Sequence, residues 1–319
     1  MPSTTEVFLM SEFQNVAVIG AGVIGASWAA LFLASGRNVA VYDPSPTLEA
    51  DVRSYIDNAW PTLRELGLAN AEPGQLSFHG DVASAVQNAD FVQESVPERI
   101  AIKHELFAKL EAALKPGAIV ASSASGLRLG EMQAGWNNPS HFILGHPFNP
   151  PHLIPLVEVM GNDKTAAGVV EQAERFYELV GKVTIRVNRE VKGHVANRLQ
   201  AALWREAIHL VKSGVASVED VDKAVWAGPG LRWAAMGPTL LFHLGGGSEG
   251  LTSFCQKYTD SFNGWWDDLG DPRLDAETAA MLVAGVHQEA GTDSWASLAT
   301  QRDDLITHML KATAPMRRR

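Results

Sequence analysis

Short apolar runs recur along the first part of the chain, separated by longer segments of helical spacing. Asn15–Ile19 (NVAVI) is one run, and Asn38–Tyr42 (NVAVY) is a second, ended by Asp43-Pro44. Phe91–Gln93, Ala118–Ser122, Phe142–Leu144 and Lys182–Val187 continue the series. Runs this short and this rich in Val and Ile predict buried strands. Between them, Lys103–Leu114 sets Leu106, Phe107 and Leu110 at helical intervals. Strands that alternate with helices predict a parallel sheet covered on both faces.

After about Val187 the pattern changes. Val195–Lys212 is helical in period, with no strand signal. Val218–Trp226 predicts another helix, with Ser217 as its N-cap and Glu219 and Asp220 in its first turn. From Leu240 onward the pattern stays mostly helical, broken at Gly245–Gly247. The boundary falls near Arg189–Gly193, giving an α/β domain over 1–190 and an all-helical domain over 191–319.

Charge changes the picture at one place. Val16–Ser35 holds no charge over 20 residues, enough to span a bilayer. Gly20, Gly22 and Gly25 interrupt it early, so a buried strand followed by a buried helix fits better. The N-terminal MPSTTEVFLMSEF has no basic start and does not read as a signal peptide. The net charge of −10 argues against nucleic acid or an anionic membrane as partner, and the terminal MRRR reads as a solvated tail. Cys255 is the only cysteine, which leaves no internal disulfide and fits a reducing cytoplasm. No histidine spacing, among His104, His141, His152, His209 and His243, suits a metal.

Gly20-Ala21-Gly22-Val23-Ile24-Gly25 reads G-x-G-x-x-G between a predicted strand and a predicted helix. In that context the first glycine allows a tight turn, the second lets a pyrophosphate approach, and the third lets helix pack on strand. The helix N-terminus, at Val23 and Ile24, favours the anion. Asp43 ends the next strand, where a carboxylate binds ribose hydroxyls and repels a 2′-phosphate. No arginine follows in PSP, so the expected cofactor is NAD on a Rossmann-like doubly wound sheet.

Leu144–Val159 (LGHPFNPPHLIPLVEV) carries four prolines between and around His146 and Glu158. Proline lacks a backbone donor and fixes φ, so an irregular track is expected there. A histidine can take the alcohol proton as hydride leaves, with a carboxylate on its far nitrogen. The two residues are 12 apart, so the chain must fold back to join them. Taken alone, His146 fits a satisfied core histidine equally well, and Glu158 a surface charge.

At this point the sequence resembles the 3-hydroxyacyl-CoA dehydrogenase family, from NVAVIGAGVIG to about Met236–Pro238. His146-Pro147-Phe148-Asn149-Pro150 matches its H-x-F-N-P motif, and Leu156-Val157-Glu158-Val159 its L-V-E-V. The resemblance implies that His146 is the base and Glu158 its partner. It implies a substrate contact at Ser125 in SSASGL and at Asn197 in VANRL. It implies further NAD contacts at Glu98, Lys103 and Asn149, with Ser125 close to the cofactor. Members usually have P-G-F before the asparagine segment; here Lys192-Gly193-His194 stands instead. His194 could be a second polar group in the pocket or simply exposed.

ESVPERIAIK, GHPFNPP, ALWREAIHLVKSGVAS and GLRW are similar to the branch of that family acting on small free acids. That branch includes L-carnitine dehydrogenase and the λ-crystallin/L-gulonate 3-dehydrogenase group. Carnitine-type members tend to have aspartate where this chain has Asn197. Coenzyme A needs a basic clamp, yet Pro44–Gln75 holds five acids against Arg53 and Arg64. Arg232 could hold a substrate carboxylate or pair with an acid such as Asp222, and Trp233 could line the pocket or be core. Phe148 counts as a further substrate contact. Among the nine tryptophans, Trp204, Trp226, Trp233, Trp265 and Trp266 could cage a trimethylammonium or, for the most part, serve as core or dimer contacts. The expectation is NAD-dependent oxidation of a small 3-hydroxy acid by a homodimer. Two other readings are a short-chain acyl-CoA dehydrogenase and a non-catalytic, crystallin-like NAD-binding protein.

Overall fold

Eight strands form one sheet: β1 (Asn15–Ile19), β2 (Asn38–Tyr42), β3 (Leu76–Phe78), β4 (Phe91–Glu94), β5 (Ile119–Ser122), β6 (Phe142–Pro147), β7 (Leu156–Met160) and β8 (Val183–Arg186). Their order is β3-β2-β1-β4-β5-β6-β7-β8, parallel except for the antiparallel β6–β7 pair. The structure is a computed structural model and describes residues 13–69 and 72–313. The MRRR tail and nearly all of the N-terminal segment lie outside these residues.

Side chains alternate across the sheet and feed two cores. Val16 and Val18 join Trp28, Phe91, Phe176 and Tyr177 on one face. Ala17 and Ile19 join Phe107, Leu110, Met132 and Phe142 on the other. A strand buried on both faces needs no polar position, so its residues read as one apolar run. The charge-free stretch follows the same logic. Its helix, Val23–Ala34, has 12 residues, and all from Gly25 to Ala34 are buried. Among the described residues no helix is long and apolar enough to cross a membrane.

The chain divides into two compact units, residues 13–197 with 305–311 and residues 198–304 with 312–313. The second unit is helical, with Leu251–Asp268 and Ala276–Ala290 among its longer elements. Ser217 caps Val218–Ala227 by accepting from the Asp220 N–H at 3.1 Å. The five tryptophans expected here as core or dimer contacts are not core: each is exposed, from 39% at Trp233 to 66% at Trp226.

Two strands escape the apolar pattern. β3 is three residues long at the sheet edge, too short to show a period. β7 follows directly on Pro155. The expected irregular track is therefore confined to residues 148–155, and His146 and Glu158 both stand on strands.

Lys182 fastens that loop from below. Its buried ammonium donates to the Pro151 carbonyl and, at 2.8 Å, to the Ile154 carbonyl. It also lies 5.0 Å above the Trp28 ring. Burial pushes this lysine down to about 7. Between there and the ordinary lysine range the unfolded chain holds a proton that the folded chain lacks, so this group makes stability rise with pH. Urea unfolding of the wild type and Lys182→Met at pH 7 and pH 9 should show the wild type gaining relative to the variant at the higher pH. A constant difference would remove this assignment.

Candidate active site

The glycine turn follows β1 and opens Val23–Ala34. Gly20 has φ +89°, and a Cβ there would come within 2.7 Å of the Ser95 and Val96 backbone. A Cβ on Gly25 would sit 1.8 Å from the Gly20 carbonyl oxygen, so helix and turn meet only through glycine. Gly22 is different: a Cβ there would meet nothing within 4 Å. Open space at the helix N-cap, without a side-chain capping bond, fits a pyrophosphate. Val23 is exposed and Ile24 half-buried at the same end.

Asp43 lies beside this turn at the end of β2. Its Oδ2 accepts from the Ala21 N–H at 2.8 Å and its Oδ1 from the Ser45 N–H at 2.9 Å. The carboxylate is thus fixed next to the glycine loop, and these residues fit NAD. A 2′-phosphate would meet a fixed negative charge. NADP should support turnover far more weakly than NAD, and Asp43→Ser with an added nearby arginine should relax or reverse the preference. Equal kcat/KM for both cofactors in the wild type would contradict this role.

His146 and Glu158 are direct cross-strand partners in the β6–β7 register. The His146 Nδ1 lies 2.6 Å from Glu158 Oε2. The other oxygen, Oε1, accepts from the Val195 N–H at 2.8 Å and the Ala196 N–H at 3.0 Å, where helix Ala196–Lys212 begins. Burial by itself would raise the Glu158 carboxyl. Hydrogen bonds from His146, Ala196 and Val195 outweigh that and hold it below the ordinary value. An ionised carboxylate can only accept, so Nδ1 carries a proton, and in the neutral ring Nε2 is bare. A bare Nε2 is the form in which an imidazole takes a proton.

The other expected residues differ in exposure and in bonding. Ser125 is half-buried on the loop after β5, and its N–H donates to Glu98 Oε1, as does that of Gly126 at 2.9 Å. Asn197 directly follows Ala196 and is half-buried. Phe148 lies edge-on to His146, with ring centroids 6.2 Å apart, and Asn149 next to it is exposed. The resemblance gives Lys103 to the cofactor; it is buried, with Nζ 2.6 and 2.7 Å from the two Glu94 oxygens and 3.3 Å from the Val96 carbonyl. An ammonium has three protons, and protein acceptors take all of them. In the second unit Arg232 is exposed on Pro229–Ala235. Trp233 beside it is partly exposed.

Glu94 has a role the sequence does not announce, and for His194 the structure decides between the two alternatives, exposed or not. Glu94 binds Lys103, the Val96 N–H at 2.7 Å and the Ser122 hydroxyl at 2.6 Å. Its signal was weak, a lone acid ending an apolar run. His194 is buried rather than exposed, its ring centroid 5.2 Å from that of His146. No described group of three or more His, Cys, Asp or Glu side chains is arranged to hold a metal ion.

A doubly wound sheet with this glycine turn and acid, followed by a helical unit, defines an NAD-binding dehydrogenase. Comparison with known proteins agrees. Residues 15–191 match the profile of the 3-hydroxyacyl-CoA dehydrogenase NAD binding domain, and residues 193–279 that of its C-terminal domain. L-carnitine dehydrogenase of Streptomyces coelicolor is 47% identical over 94% of this chain and 95% of its own. The Pseudomonas aeruginosa protein of that name is 41% identical, covering 95% of each. Among solved structures, FHMPC 5-dehydrogenase, an NAD+-dependent dismutase, is 30% identical with TM-score 0.80, covering 94% of this chain and 99% of that one. The 3-hydroxybutyryl-CoA dehydrogenase of Escherichia coli K12 is 27% identical with TM-score 0.61, over 86% of this chain and 57% of that one. The chain belongs to the 3-hydroxyacyl-CoA dehydrogenase family and is an NAD-dependent oxidoreductase.

Proposed function

We propose that this protein oxidises the 3-hydroxyl group of a small free 3-hydroxy acid, with L-carnitine the first substrate to test. The hydrogen-bonded His146–Glu158 pair carries the reading. In this mechanism His146 Nε2 takes the alcohol proton. Glu158 keeps the imidazole in the right tautomer and stabilises its charge once protonated. Ser125 and Asn197 hold the substrate oxygen, and Phe148 packs against the substrate. NAD, when bound, accepts the hydride. Gly20, Gly22, Gly25, Asp43, Glu98 and Asn149 form its seat, while Lys103 braces the Ser95–Glu98 segment through Glu94.

The carnitine relatives support a free acid, and so does the acid-rich Pro44–Gln75 segment, a poor clamp for a polyanion. Arg232 and Trp233 are kept as substrate contacts of the helical domain, with the domains meeting at 190/191. NADH production should be measured with L-carnitine, L-gulonate, 3-hydroxybutyrate and 3-hydroxybutyryl-CoA. Highest kcat/KM on the thioester would overturn the free-acid reading.

We place the protein in the cytoplasm, for which the single, free Cys255 is the support. We also propose a homodimer formed through the helical domain. Trp226, Trp265, Trp266 and Trp295 are each more than half exposed, more apolar surface than a monomer ordinarily leaves in water. Sedimentation at micromolar concentration should give twice the chain mass, and a monomer would refute the proposal.

A further inference from the structure

Gln93 is wholly buried near the end of β4, where it stands beside Ala121 of β5. The Tyr177 hydroxyl, on helix Val169–Leu179, donates to its Oε1 at 2.7 Å. On the other side, Nε2 lies 2.8 Å from the Ser123 hydroxyl oxygen, 3.3 Å from the Gly145 carbonyl and 3.4 Å from the Ala121 carbonyl. Carbonyls can only accept, so the amide cannot turn round without setting oxygen against oxygen. A buried amide bonded on both sides is a fixed strut, and its bonds are costly to leave unmade.

The strut reaches two segments that the sheet no longer joins. The β5–β6 ladder ends at Ser122 and Leu144. Gly145 is the next residue on β6 and directly precedes His146. Ser123 is the next residue after β5 and lies two before Ser125. Gln93 therefore ties these segments together just where the ladder between them has stopped. Gly145 makes room for the arrangement, since a Cβ there would overlap the Tyr177 hydroxyl. On its far side His146 is held by Glu158, its cross-strand partner on β7. Without Gln93 that pair would stay bonded and shift as a unit relative to Ser125.

We propose that Gln93 is a positioning residue for the oxidation, its amide holding the His146 strand end and the Ser125 loop in register so that base and substrate contact meet at the same hydroxyl. The inference rests on the roles proposed above for His146 and Ser125. Misplacing reacting groups by about 1 Å can cost about 10²-fold in rate, so a strut remote from the chemistry has a measurable effect on it.

The test measures kcat, NAD affinity, the pH profile and the urea midpoint in Gln93→Met, Tyr177→Phe and Ser123→Ala. The substrate is L-carnitine or 3-hydroxybutyryl-CoA, whichever the wild type oxidises faster. Methionine keeps the length of Gln93 and removes its bonds on both sides. Phenylalanine removes only the bond to Oε1, while the two carbonyls keep Nε2 in place. Each of these two variants unpairs buried groups, so both should lower the urea midpoint. Gln93→Met should also cut kcat by about 10–100-fold. It should still bind NAD, and the acidic limb of its pH profile should not move, because His146 and Glu158 remain paired. Tyr177→Phe should keep kcat near the wild-type value. Ser123→Ala, which frees the Ser125 loop alone, should fall between the two. Should Gln93→Met fail to fold, wild-type kcat in Ser123→Ala would overturn the proposal. So would equal kcat in Gln93→Met and Tyr177→Phe. Near-normal kcat in His146→Gln would overturn the base reading and this inference together, whereas a loss in His146→Gln beside an unchanged Gln93→Met overturns this inference alone. A faster thioester fails the free-acid reading only, and oxidation of neither compound would overturn both.

Discussion

His146→Gln should cut turnover by about 10²–10⁴-fold, the usual worth of a general base, while NAD still binds. Glutamine can occupy the site but cannot take the alcohol proton near neutral pH. Glu158→Gln should cost less than His146→Gln, because the imidazole remains. The neutral amide stabilises the imidazolium less and can turn its NH2 toward Nδ1, favouring the other tautomer. The carboxylate is bonded to His146 and to two N–H groups of a helix start, so it is a fixed charge rather than a mobile one. The double variant should be little slower than His146→Gln alone, since the two groups act as one unit. Ser125→Ala and Asn197→Ala should be milder still, each removing a single polar contact. Single-turnover NADH formation, measured beside NAD affinity, separates these outcomes. Near-normal turnover in His146→Gln, or effects that multiply independently, would leave the pair a structural corner.

The sequence makes some parts of this arrangement legible and hides others for physical reasons. β1 is visible because a strand covered on both faces is a continuous apolar run, and β2 because it repeats that run with Val39 and Val41 buried. The glycine turn is visible because each glycine meets a different demand: a Cβ would clash at Gly20 and at Gly25, and would meet open space at Gly22. A spacing of 12 requires His146 and Glu158 to fold back, yet the direct β6–β7 register cannot be read from it. Prolines mark the corner strongly enough to hide the end of β6, whose start at Phe142–Leu144 is legible, and the whole of β7. The depth of His194 depends on two successive left-handed residues, Gly193 and His194, which no periodicity reports.

Glu94 and Lys103 show the same limit from the other side, and they carry the second large effect. A charged residue reads as the end of an apolar run, so Phe91–Gln93 seems complete before Glu94. In the fold both side chains are almost wholly out of water, and each needs the other. Lys103→Met removes the ammonium and leaves a carboxylate with only the Val96 N–H and the Ser122 hydroxyl. An uncompensated buried charge of this kind costs about 3–5 kcal/mol. The urea midpoint should fall steeply. Glu94→Gln with Lys103→Met, which leaves no buried charge, should recover much of the loss despite the missing ion pair. NAD affinity separates this role from a cofactor contact. If Lys103 acts through Glu94, the double variant should regain NAD binding together with stability. If it binds the cofactor directly, the double variant should regain stability while NAD binding stays weak, and a single variant that keeps the wild-type midpoint but loses NAD would reverse the assignment made here.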